Sequence, residues 1–224
     1  MPELGRMSAV FFDMDGTLID SETLTEPTIV ALCKELGIHD VDIDCTQFFG
    51  GPWLEVERTL IQYYPQIDGK TDISARLQEL FHNLLRDEPP PLIPGSREMV
   101  IEISKLMPVA IVTSSGRESA AETARRMGIA DDISFSLGFE DYENGKPEPD
   151  GYLKAADALQ VDPKKCLVFE DSIPGIQAAK NAGMAVIAVT HRCPDIETAT
   201  ELADRVIRDY SDLGQGFFDL ISVT

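Results

Sequence analysis

An apolar run, Val10-Phe11-Phe12, ends in two aspartates spaced i and i+2, Asp13 and Asp15, followed at once by Gly16-Thr17-Leu18. If extended geometry continues past Asp13, the two carboxylates lie on the same side of the chain. Gly16 then permits a sharp departure from the strand. Carboxylates so placed can hold a hard cation through oxygen. One can also attack an electrophilic centre such as phosphorus while its neighbour transfers protons. An acidic turn after a strand is written with the same residues, and this segment alone does not separate the two readings.

Three further segments end in residues of related chemistry. Val109-Ala110-Ile111-Val112 runs into Thr113-Ser114-Ser115-Gly116-Arg117, where hydroxyls and backbone N–H groups before a helix start suit phosphate oxygens; an ordinary Ser/Thr helix cap would look alike. Gly145-Lys146-Pro147-Glu148-Pro149-Asp150 holds a lysine in a loop stiffened by prolines. That lysine is either a fixed ammonium for a phosphate or a solvated turn residue. Val168-Phe169 ends in the adjacent pair Glu170-Asp171, with Ser172-Ile173-Pro174-Gly175 opening a helix. Two buried carboxylates without a partner are costly, so a cation accounts for them, with helix capping by Asp171 or Ser172 as the competing reading.

The elements that must carry these residues follow from hydrophobic periodicity. From residue 96 onward, β-rich runs (Val109–Thr113, Ile133–Leu137, Cys166–Glu170, Ala185–Thr190 and a weaker Arg205–Arg208) alternate with helical patterns at Glu118–Met127, Gly151–Leu159 and Ile173–Ala182. Alternation of this kind predicts βαβ units and a parallel sheet. The runs are nearly continuous in apolar residues, as when helices cover both faces. Residues 21–88 show no strand; Glu22–Leu36, Leu54–Tyr64 and Ile73–Arg86 read as amphipathic helices, broken by Gly37, by Gly50-Gly51-Pro52 and by Pro65. Pro89-Pro90-Pro91 with Pro94-Gly95 reads as a linker. Because Ala9–Asp13 belongs with the later strands, the expected organisation is an α/β core of residues 1–20 and 90–224, Rossmann-like and three-layered, with a helical insert at 21–89 after the first strand.

The chain has 224 residues with 39 acidic against 19 basic, a net charge of −20. Such a surface repels nucleic-acid backbones and anionic lipid, so neither is expected as a partner. It would also repel a phosphorylated metabolite, so a phosphate site must be locally positive, which Lys146 can supply. Cys33, Cys45, Cys166 and Cys193 lie far apart without paired spacing, which argues against zinc and makes a disulfide framework unnecessary. His39, His82 and His191 are isolated. There is no run long and apolar enough for a membrane span and no signal-peptide pattern, so a reduced, soluble, cytoplasmic protein is expected.

Taken together and in this order, the four segments closely resemble the haloacid dehalogenase superfamily, whose signature runs D-x-D-G-T, a strand-end Thr or Ser, a Lys and a strand-end acidic pair. The resemblance covers nearly the whole chain, and the helical insert looks like the family's cap. It implies that Asp13 forms an aspartyl-phosphate, that Asp15 protonates the leaving oxygen and then activates water, and that Thr113, Ser114 and Lys146 hold the phosphoryl oxygens. It further implies Mg²⁺ bound by Asp13, the Asp15 carbonyl and Asp171, with Glu170 either a ligand or just behind the ligands. Haloacid dehalogenases proper lack the second aspartate, so Asp15 points to phosphate chemistry. The cap resembles the branch of phosphoglycolate phosphatases, sugar-phosphate phosphatases and β-phosphoglucomutases. The mutase carries a histidine twelve positions after its nucleophile, where this chain has Thr25, which weakens that reading. The resemblance therefore implies a magnesium-dependent phosphatase for a small phosphorylated metabolite, monomeric or weakly dimeric, with a phosphomutase or a non-catalytic binding protein as alternatives. Thr25, Gly51 and Trp53 are the cap residues that could face substrate, with packing the favoured reading of Trp53, and Asp20–Glu22 and Pro89–Gly95 are expected to form a hinge that opens and closes.

Overall fold

The computed structural model describes residues 5–49, 53–67, 69, 72–214 and 216–222. Its strands are β1 Ala9–Phe12, β2 Val109–Val112, β3 Phe135–Leu137, β4 Cys166–Glu170, β5 Ala185–Val189 and β6 Arg205–Ile207. They form one sheet in the order β3-β2-β1-β4-β5-β6, and every neighbouring pair is parallel. All residues of β1, β2 and β4 are buried, which explains why these strands are apolar without alternation. The helices are α1 Thr25–Glu35, α2 Trp53–Tyr63, α3 Ile73–Asp87, α4 Ser96–Ser104, α5 Arg117–Met127, α6 Asp150–Leu159, α7 Ile173–Asn181, α8 Ile196–Leu202 and α9 Gly216–Ile221. The α/β class read from the sequence is the observed one.

By its contacts the chain divides into two compact units, Met1–Asp20 with Leu92–Thr224, and Ser21–Pro91. In the first, alternate strand residues serve opposite faces. Phe11, Ala110 and Val168 pack with Tyr152, Ala155 and Ala156 of α6 and with Ile176 and Ala179 of α7. On the other side, Phe12 stacks on Phe169 at 4.8 Å, and both rings meet Tyr210, with Phe217 of α9 edge-on to Phe169. Leu92 bridges Ile19, the Ile93 N–H donates to the Leu18 carbonyl, and the Ser96 hydroxyl donates to that same carbonyl, so the two chain ends that flank the insert are joined.

The second unit is helical and has its own core, in which Ile29, Leu32 and Cys33 of α1, Leu60 of α2 and Ile73 and Leu77 of α3 are buried together. The sequence pattern starts the first helix at Glu22. In the structure Ser21–Leu24 is a tight 3₁₀ turn and α1 begins at Thr25, the Thr25 hydroxyl donating to the Glu22 carboxylate at 2.9 Å. Three helices, α4, α8 and α9, are not among the periodic segments, being short with weak apolar spacing. The third strand is also shorter than its apolar run, since β3 is an edge strand and only partly buried.

Candidate active site

Strand register brings the chemistry-bearing residues together. Phe12 pairs with Ile111 of β2 on one side and Phe169 of β4 on the other. The residues that follow, Asp13, Thr113 and Glu170-Asp171, therefore emerge at the carboxyl ends of three adjacent strands. The Asp13 N–H donates to the Phe169 carbonyl at 3.0 Å, carrying the ladder one residue further. Strand order reverses about β1, which is where ligands bind in open parallel sheets.

Beyond the strand ends the carboxylates crowd. One oxygen each from Asp13, Glu170 and Asp171 lie within 4.8 Å of one another, and all three residues are buried. The Lys146 ammonium reaches in from the loop before α6, 2.5 Å from Asp13 Oδ1 and 2.5 Å from Glu170 Oε1. Glu170 is held by five donors. Oε1 accepts from Lys146 and the Tyr152 hydroxyl, while Oε2 accepts from the N–H groups of Asp171 and Ser172 and from the Ser172 hydroxyl. Helix α7 comes so close that a Cβ on Gly175 would sit 1.8 Å from Glu170 Oε1. Asp171 differs: its Oδ1 accepts from the Thr17 hydroxyl at 3.2 Å, and a Cβ on Gly16, where φ is +77°, would fall 2.0 Å from its Oδ2. Gly16 is thus required both by its left-handed backbone and by the approach of Asp171.

The loop after β2 supplies the hydroxyls. Thr113 is buried; its carbonyl accepts from the Tyr142 hydroxyl at 2.8 Å and its Oγ1 from the Ser115 N–H at 3.0 Å. Ser114 is exposed and its side chain engages Tyr142. The Ser115 hydroxyl donates to Asp15 Oδ2 at 2.7 Å. At the start of α5 the Arg117 N–H is taken by Glu140 at 3.1 Å.

Charge balance tests whether a cation fits. Three buried carboxylates face one ammonium. Burial, with Lys146 pulling the other way and Glu170 and Asp15 adding to it, leaves the Asp13 carboxyl raised to about 8. Burial disfavours the Lys146 charge, yet Asp13 and Glu170 outweigh it and raise that pKa well above the lysine norm. The deficit of positive charge and the all-oxygen donor set suit a hard divalent cation. Since Glu170 is already surrounded by donors, Asp13 and Asp171 are the carboxylates whose chemistry fits one.

A family model for haloacid dehalogenase-like hydrolases matches residues 7–183. The chain belongs to this family. Among relatives of the hydrolase, a phosphorylated carbohydrates phosphatase of Thermotoga maritima is 31% identical over 84% of the chain and 88% of its own length. A β-phosphoglucomutase of Bacillus subtilis is 30% identical over 92% of each. The crystal structure of a putative β-phosphoglucomutase from Thermotoga maritima superposes with a TM-score of 0.73 at 29% identity, covering 90% of this chain and 94% of that one.

Of the residues singled out in the hydrolase sequence, Asp13, Lys146, Glu170 and Asp171 meet in one cluster, and Asp15 and Thr113 are joined to each other through Ser115. Thr25 bonds Glu22, Trp53 packs on Phe81 at 5.5 Å, and Gly51 lies outside the described residues. Sequence reasoning missed Tyr152, Tyr142, Thr17 and the hydrogen bond of Ser115; Ser115 and Thr17 stood inside the quoted segments, whereas the tyrosines carry no local signal. Among the described residues no helix is long and apolar enough to cross a membrane. The four cysteines are buried and unpaired with one another.

Proposed function

We propose that this hydrolase is a magnesium-dependent phosphatase of small phosphorylated metabolites, acting through an aspartyl-phosphate on Asp13. The observation that supports it is the cluster at the β1/β4 junction, where a buried aspartate sits against a lysine whose side chain is 9% exposed, beside a second aspartate with the oxygen chemistry of a metal ligand. A carboxylate oxygen of Asp13 attacks phosphorus; as that bond forms, the bond to the leaving oxygen breaks, and Asp15 gives that oxygen its proton. Water then attacks the same phosphorus, passes a proton back to Asp15, and inorganic phosphate leaves as the Asp13–phosphorus bond breaks. Thr113, Ser114 and Lys146 hold the transferring oxygens, because phosphoryl transfer needs positioning and charge neutralisation above all.

Magnesium would be held by Asp13, the Asp15 carbonyl and Asp171, and when bound would neutralise the charge that the ammonium alone does not. In this reading Glu170 anchors Lys146 and stands behind the ligands. The helical unit is proposed as a cap that selects the substrate, the segments around Asp20 and Pro91 serving as its hinge. The surroundings are proposed as cytoplasmic and the protein as monomeric or weakly dimeric.

A phosphomutase is the second reading, favoured by the identity to the Bacillus subtilis enzyme and opposed by Thr25, where the family resemblance calls for a histidine in a mutase. Phosphate release from sugar phosphates, phosphoglycolate and glycerol phosphate, with Mg²⁺ and with chelator, decides between them. Magnesium-dependent release that Asp13→Asn lowers by on the order of 10⁴-fold or more is expected. Isomerised sugar phosphate without release would favour the mutase, and release by Asp13→Asn at the wild-type rate would overturn both.

A further inference from the structure

Ser115 stands in the loop after β2 with every group committed. Its N–H donates to Thr113 Oγ1 at 3.0 Å, its carbonyl accepts from the Phe139 N–H at 3.1 Å, and its hydroxyl donates to Asp15 Oδ2 at 2.7 Å. A serine two residues before a helix would ordinarily be read as part of the cap. Here the N-cap of α5 is Gly116, with no side-chain cap hydrogen bond. The hydroxyl instead reaches a partner 100 residues away in sequence.

We propose that Ser115 is the positioning residue for Asp15, fixing the rotation of the carboxyl group that carries the proton to the leaving oxygen. The inference rests on the phosphatase reading given above. A free aspartate side chain turns about its last bond and can carry its proton on either oxygen. A hydrogen bond donated to Oδ2 keeps that oxygen an acceptor, so the transferable proton resides on the other oxygen and points one way. Because Ser115 is tied to the Thr113 hydroxyl, the loop that would hold the phosphoryl group also sets the aim of the acid.

The test separates aim from fold by the leaving group. An alkyl phosphate releases a poor leaving oxygen that needs the proton, whereas p-nitrophenyl phosphate releases a stable phenolate that does not. With Mg²⁺ present, Ser115→Ala is expected to lower kcat/KM for the alkyl ester about tenfold, a part of the roughly hundred- to ten-thousand-fold that general acid–base catalysis contributes. The same change should cost less than about twofold with p-nitrophenyl phosphate. Ser115→Thr should restore most of the alkyl-ester rate, and in an Asp15→Asn background Ser115→Ala should cost less than about twofold on either ester. Equal losses on both esters, an undiminished loss in the Asp15→Asn background, or no loss at all would overturn the proposal. A wild-type chain inert toward both esters would instead overturn the phosphatase reading, and this inference with it.

Discussion

The sheet unit buries charge and the helical unit does not. Asp13, Asp20, Glu170 and Asp171 are buried in the first, whereas the buried polar side chains among the described residues of the second are the hydroxyls Ser21, Thr25 and Thr28. The helical unit keeps its ion pairs outside: Arg76 joins Glu35 across side chains 31% and 43% exposed. Such pairs contribute little, so this unit stands on its apolar core. A buried carboxylate, in contrast, costs stability unless something offsets it. A fold that keeps three of them around one lysine trades stability for a site, and the two units should respond to substitution in opposite ways.

The largest effect on stability is expected at that lysine. Lys146→Met leaves Asp13 and Glu170 buried without their shared ammonium and should cost about 3–5 kcal/mol, since removing one partner of a buried pair strands the other. Urea denaturation without Mg²⁺ measures it, and a loss under about 1 kcal/mol would mean that the remaining donors hold Glu170 without the ammonium. In the helical unit, Leu77→Ala opens a cavity in a fully buried position and should cost about 2–5 kcal/mol. Here kcat at a temperature where the variant is folded should stay within about twofold of wild type. A large fall in kcat for the folded variant would erase the contrast between the units.

The pH dependence sharpens it. Asp13 holds its proton up to about 8 in the folded chain against an ordinary 3.8. The folded state therefore binds that proton more tightly than the unfolded chain does. The contribution to stability is complete below about pH 4 and is lost as pH rises towards 8. Without divalent cations the denaturation midpoint should fall across that window, and Asp13→Asn should remove that part of the slope; an unchanged slope in the variant would place its origin elsewhere. The smallest effect is expected from Tyr152→Phe, which takes one of five donors from Glu170 and should cost about 1 kcal/mol. A loss several times larger would show that the phenol, and not the loop N–H groups, holds Glu170.

What could be read from the sequence was whatever sits at the end of an apolar run. Asp13, Asp15, Thr113 and the Glu170-Asp171 pair each follow a strand, and in a parallel sheet such ends converge. Lys146 was legible through the proline-stiffened loop and the need for local positive charge. Which way a side chain turns once there was not legible. Glu170 and Asp171 are adjacent in sequence, yet one faces five donors of its own chain and the other leans on Thr17 and Gly16. Tyr152 reads as one more apolar position of α6, since its hydroxyl partner lies 18 residues away. The boundary of α1 was missed because Glu22 continues the amphipathic pattern while its carboxylate serves the first helical threonine.

The measurement closest to the central claim is to quench the Mg²⁺-loaded protein within milliseconds of mixing with a phosphate ester, reduce any acyl phosphate with borohydride, and locate the reduced residue by peptide mass spectrometry. Asp13 is expected to be recovered as homoserine, its phosphate having left on reduction, and no such product is expected from Asp13→Asn. Turnover with the phosphoryl group on another residue, or with none on the chain at any quench time, would contradict it.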